Sequence, residues 1–182
     1  MGKKLNTQEI VIVGLGAALM GVFSQLSIPI PPVPLTLQVF GAIMLAVILE
    51  SKLATLTMIV YTLIGGIGIP VFANFNRGFN IIAGPTGGYI IGFIFLAYIV
   101  GKAAEQKNKI ILLSFAYMGL FVQYFIGTVQ LKMVLNLPLE KAMIAGVYPF
   151  IFKDLILTGI AVFVALQVKK QIRSVLNGRT QA

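Results

Sequence analysis

Long apolar runs separated by short polar or proline-rich breaks dominate the chain, at about 10–28, 36–49, 53–69, 88–104, 110–134 and 149–168. Most approach the ~20 residues with which an α-helix crosses a bilayer. The pattern predicts an all-α integral membrane protein: a compact bundle of six transmembrane helices, with no internal repeat, forming one domain over 1–182. Segment two, 36–49, is short for a span. It is preceded by SIPIPPVPLT, where Pro29, Pro31, Pro32 and Pro34 stand within six residues. Prolines so spaced cannot continue a helix, so an extended connection is expected there. Glu50, Ser51 and Lys52 make a charged turn, and GGIGIP ends the third segment before Pro70. Residues 135–148, with Pro138, read as a mixed connection containing an amphipathic turn, and 169–182 as a basic tail.

Composition agrees with this reading: 58% of the 182 residues are hydrophobic and 10% charged, against about 25% charged in a soluble domain. Residues 1–8 lead into the first apolar run without a small-residue cleavage pattern, so that run is expected to remain in the protein. Cys and His are absent and only five residues are acidic, which excludes thiol chemistry and leaves few general bases or metal ligands. No metal or cofactor is expected. The net charge of +9 lies at the ends of apolar runs rather than in an aromatic-interleaved patch, so it argues for membrane orientation and against nucleic acid.

With six spans, Lys3, Lys4, Lys52, Lys102, Lys107, Lys109, Lys169, Lys170, Arg173 and Arg179 share one side, against Arg77, Lys132, Lys141 and Lys153 elsewhere. The positive-inside rule then places both termini in the cytoplasm of a multi-pass cell-membrane protein. The Pro-rich connection, the loop 70–87 and the connection 135–148 meet on the outer face.

Candidate chemistry concentrates there. The stretch PVFANFNRGFNIIAGPTGGY, Pro70 to Tyr89, holds Arg77, Asn74, Asn76 and Asn80 in a chain otherwise poor in polar groups. Its turn, Gly84 to Tyr89, opens segment four, so its amides and the Thr86 hydroxyl stand at the positive end of a helix dipole. No GKS or GKT follows, so it is not a nucleotide loop. Thr36 and Gln38 sit at the entrance of segment two, and Lys153 and Asp154 lie about one turn inside segment six. Charges inside a membrane helix cost about 2.5–3.5 kcal/mol, so they usually face a cavity and mark a function. Adjacent residues point about 100 degrees apart, so Lys153 and Asp154 are not expected simply to face one another, and one or both should have another partner. On segment one, Gly14/Ala18 and Ala17/Gly21 are small residues four apart, the spacing at which membrane helices approach closely, towards either a partner or a neighbouring helix.

PIPPVPLTLQVFGAIMLA (29–46), GGIGIPVFA (65–73), GPTGGYIIGF (84–93) and YPFIFKDL (148–155) occur in that order. In this they resemble the BioY family, the biotin-binding S components of energy-coupling factor transporters. The resemblance covers most of 10–165. It implies a non-enzymatic protein that captures biotin with high affinity at the outer face, then docks on a transmembrane coupling protein working with two cytoplasmic ATPases. It implies substrate-binding roles for Gly84, Thr86, Gly87, Tyr89, Thr36, Gln38 and Asp154, and partner docking by Ala17 and Gly21 or by Gly14 and Ala18. Roles for Arg77, Asn80 and Lys153 rest on chemistry instead: Asp154 and Asn80 suit a ureido ring, Lys153 or Arg77 a carboxylate, and Phe72, Phe79 and Tyr89 an apolar wall. Competing readings are an intramembrane enzyme using Lys153 and Asp154 as acid and base, which the lack of His and Cys disfavours, and a scaffold that binds no small molecule, which the converging polar residues disfavour.

Overall fold

The structure, a computed structural model, describes residues 5–106 and 108–179, with side chains described as far as Ile172. Lys3, Lys4, Lys107 and the side chains of Arg173 and Arg179 therefore lie outside the described residues, as does the end of the basic tail, 180–182.

Helix α1 (Thr7–Gln25) starts on a capping box, in which Asn6 accepts from the Glu9 amide and Glu9 accepts from the Asn6 amide. The Pro-rich connection is a hairpin, closed by the two-residue strands β1 (Ser27–Ile28) and β2 (Leu35–Thr36) in antiparallel register. Then come α2 (Gln38–Gly66), a 3-10 turn (Ala73–Phe75), the short α3 (Phe79–Ala83), α4 (Gly87–Glu105), α5 (Lys109–Leu135), α6 (Leu139–Gly146) and α7 (Tyr148–Arg179). The connection 135–148 thus contains a helix of its own, and α7 runs on past the expected end at 168.

Helix α2 doubles back. At Glu50 the backbone leaves helical geometry with φ 61 and ψ −179. Gln38 Nε2 donates to the Tyr61 hydroxyl at 2.8 Å, although 23 residues of straight helix would separate them by about 35 Å. Two antiparallel arms, 38–49 and 51–66, result. Counted by length and apolarity among the described residues, five helices can cross a membrane: α1, α2 taken as one, α4, α5 and α7.

Helix α4 occupies the middle of the bundle, with Ile90, Phe93, Leu96, Ala97 and Val100 buried. It meets α5 through Gly88 and Gly92. A methyl on Gly88 would stand 2.6 Å from the Ile126 carbonyl oxygen, and one on Gly92 2.9 Å from Gln123 Cα. Small residues four apart let the two backbones touch, and in lipid that close packing holds helices together. Outside, Phe125, Phe152, Phe163 and Ile110 are exposed, while Gln38, Gln123, Asp154 and Thr158 are buried. An apolar exterior around polar groups suits a hydrocarbon solvent.

The two ends are built differently. At one, Glu9 pairs with Lys52 at 3.4 Å, Glu50 with Lys169 at 2.8 Å, and Ser51 donates to Glu105 at 2.5 Å. These contacts gather the start of α1, the α2 turn, the end of α4 and the far part of α7. At the other end, Ser24 and Gln25 donate to the Val71 and Phe72 carbonyls at 2.5 and 3.0 Å, tying α1 to the segment after α2.

Candidate functional site

Asp154 lies on α7 and is 3% exposed. A carboxylate so placed needs compensation, because desolvating a charge costs several kcal/mol. Compensation comes from two sides. Tyr124 of α5 donates to Oδ2 at 2.6 Å, and Lys153 Nζ lies 2.8 Å from Oδ1. The neighbouring side chains therefore do meet, because the long lysine stem bends its ammonium back along the helix. Each also has the further partner expected: Lys153 donates at 2.5 Å to the Thr36 carbonyl, which fastens the Pro-rich hairpin to α7.

Around this pair stand groups from four helices. Tyr89 of α4 packs edge-on against Tyr124, with centroids 6.3 Å apart, and its hydroxyl donates to the Gly146 carbonyl at the end of α6 at 2.9 Å. Gln38 opens α2; its side chain donates to Tyr61, whose hydroxyl donates to the Val71 carbonyl at 3.1 Å. Gln123 donates to the Tyr89 carbonyl at 3.4 Å, but its buried Oε1 has no partner. A buried, unpaired acceptor is costly, and here it borders a cavity.

That cavity, about 50 Å³, is bordered by Thr36, Gln38, Tyr89, Gln123, Tyr124, Lys153 and Asp154, with Val33, Phe93 and Phe150 among its apolar walls. A larger chamber of about 330 Å³ lies beneath the Pro-rich hairpin, against Phe72, Asn74, Asn76, Ile81 and Thr86. Val33 and Gln38 border both. A chamber of this size with a few convergent polar groups has the dimensions of a small-molecule site.

The structure thus brings together Asp154, Lys153, Gln38, Thr36 and Tyr89 around the small cavity, and places Thr86 on the chamber. Gly84 and Gly87 border neither. The Gly84 carbonyl accepts from Gln130 of α5 at 2.8 Å, and a methyl on Gly87 would meet the Ile82 carbonyl and Gln130. Both hold the start of α4 against α5. Arg77, Phe79 and Asn80 are exposed and line neither space. On α1, Ala17 and Gly21 are buried, Gly21 against Val71, whereas Gly14 and Ala18 face outward with Val11, Leu15 and Val22. Sequence reasoning did not place Gln123 and Tyr124 in the site. The signal was present: Gln123, Tyr124, Thr128 and Gln130 are polar residues spaced along a largely apolar helix, Tyr124 and Thr128 four apart on one face.

A lipid-facing helical shell around a charge-compensated polar pocket, with a chamber under latched loops, defines a membrane-embedded binding protein for a small polar solute. The BioY family model matches residues 1–174, and the chain belongs to the BioY family. It is 39% identical over 164 residues to the biotin transporter BioY of Thermotoga maritima, covering 90% of this chain and 96% of that one. With the probable biotin transporter BioY of Pyrococcus horikoshii it shares 42% identity over 161 residues, 88% of this chain and 96% of that one. A crystal structure of the S-component for biotin from an ECF-type ABC transporter superposes with a TM-score of 0.81 at 26% identity, covering 92% of this chain and 95% of that chain.

Proposed function

We propose that this chain is the high-affinity biotin-binding, substrate-specificity subunit of an energy-coupling factor transporter. The observation that carries the reading is the pocket around Asp154, where Asp154 and Gln123, whose Oε1 lacks a partner, line one small space. A ureido ring offers two N–H donors to such acceptors and a carbonyl to the Tyr or Gln38 donors. Val33, Phe93 and Phe150 suit the apolar thioether ring, and the valerate extends towards the larger chamber. Arg77, Phe79 and Asn80 lie outside this arrangement and would meet the ligand only on its way in.

Six membrane crossings follow when the two arms of α2 are counted separately. Gathering of the start of α1, the α2 turn and the far part of α7 at the lysine-rich end supports a cytoplasmic location for both termini. The outward Gly14/Ala18 face of α1 is the surface offered to a coupling protein, which works with two ATPases to supply energy that this chain has no motif to provide. Relatives of this family are named as transporters, and no step in this reading is catalytic.

Calorimetric titration of the purified chain in detergent, with thiamine and riboflavin as controls, tests the assignment. Tight one-to-one binding of biotin alone, without ATP, is expected. Absence of binding would remove the assignment.

A further inference from the structure

The lysine-rich end holds a second cavity that the capture of a solute does not use. It measures about 300 Å³ and lies between the end of the first α2 arm, the end of α4, the start of α5 and the far part of α7. Its walls are apolar, including Val47, Leu112 and Leu166, and three ammonium groups border it: Lys109, Lys169 and Lys170. Among the described residues, no carboxylate lines it. Lys169 is held in place by the Val47 carbonyl and Glu50 at 2.9 and 2.8 Å, whereas Lys109 and Lys170 are exposed. Lys109 is also the first residue of α5, where a cation opposes the helix dipole. An anion between these lysines relieves that opposition.

The geometry points to a binding site for an anionic phospholipid, with the headgroup phosphate between Lys109 and Lys170 and an acyl chain along the Val47, Leu112 and Leu166 wall. Basic pockets between membrane helices on the cytoplasmic side recognise such headgroups. A soluble phosphate would use the lysines but leave the apolar wall uncovered, so the lipid fits both halves of the cavity. The inference rests on the sidedness proposed above, but its test requires neither biotin nor a coupling partner.

Delipidated protein in detergent is titrated with phosphatidylglycerol or phosphatidylcholine and followed by native mass spectrometry, for the wild type and for K109Q/K170Q. Each lysine near an anionic surface contributes roughly fivefold. One phosphatidylglycerol should bind the wild type in preference to phosphatidylcholine and bind the double variant roughly 25-fold more weakly, while an unchanged thermal denaturation midpoint in detergent shows the variant still folded. Equal phosphatidylglycerol binding by both proteins, or no preference over phosphatidylcholine, overturns the site. Displacement of the lipid by millimolar inorganic phosphate would assign a soluble anion instead and overturn the lipid.

Discussion

The two ends of this bundle, outer and inner on the sidedness proposed above, are closed by opposite means. The inner end uses tight turns and ion pairs in which at least one partner stays well exposed, such as Glu9 with Lys52 and Glu50 with Lys169. The outer end is closed mostly by side chains that donate to loop carbonyls: Ser24 and Tyr61 to Val71, Gln25 to Phe72, Lys153 to Thr36. A side chain can leave a carbonyl for a ligand atom without leaving a charge unpaired, so the outer closures can be exchanged one at a time. Lys153 is the exception that joins loop and site, because it serves the Asp154 carboxylate and the hairpin together. A ligand acceptor competing for that ammonium would loosen the hairpin's hold on α7, and release of the ligand would restore it.

Four substitutions would break or sharpen this contrast. The largest effect is expected between the two ends, on the outward face of α1: Ala18→Trp should abolish biotin uptake by the assembled transporter while leaving binding by the isolated chain unchanged. Loss of both would mean that this face serves the fold. Next is Lys153→Met, which leaves a buried carboxylate without its cation; removing one partner of a buried pair costs about 3 kcal/mol or more. The denaturation midpoint in detergent should fall accordingly, and adding Asp154→Asn should recover most of the loss. Asp154→Asn alone should weaken biotin binding by about 1.5–3 kcal/mol, the value of a hydrogen bond to a charged group; unchanged affinity by calorimetry would take Asp154 out of the site. Smallest is Lys169→Met at the inner end. Its partner Glu50 keeps 42% of its side-chain surface exposed, so stability should change by less than about 1 kcal/mol and biotin affinity not at all. A loss of affinity there would show that the two ends are coupled.

The sequence exposed the parts of the molecule that depend on contrast with a hydrocarbon background. Apolar runs marked the helices, and Gln38, Tyr89, Lys153 and Asp154 stood out as polar groups within or beside them. It did not reveal which loop residues turn inward. Asn74 and Phe75 have φ 58, and Gly78 has φ 95; on the loop these left-handed steps shape, Arg77, Phe79 and Asn80 are exposed and line neither space. Chemical richness alone had nominated them. The two small-residue pairs on α1 were indistinguishable for a related reason: Gly14 and Ala17 are three residues apart, neighbouring stripes on one helix. Only packing against the segment after α2 shows that Gly21 is inside and Gly14 is not.

The first arm of α2 has one more consequence. Residues 38–49 rise about 18 Å, well short of the ~30 Å thickness of a bilayer's hydrocarbon core. On the sidedness proposed above, thinning of the membrane around this short arm would set the Pro-rich hairpin below the level of the surrounding headgroups, in a depression of the outer leaflet. Backbone N–H groups at that depth would have no water to satisfy them. Proline has none, which makes Pro29, Pro31, Pro32 and Pro34 suited to a lid that is not helical yet sits at hydrocarbon depth. On that sidedness, a solute held beneath it would already have travelled part of the way across.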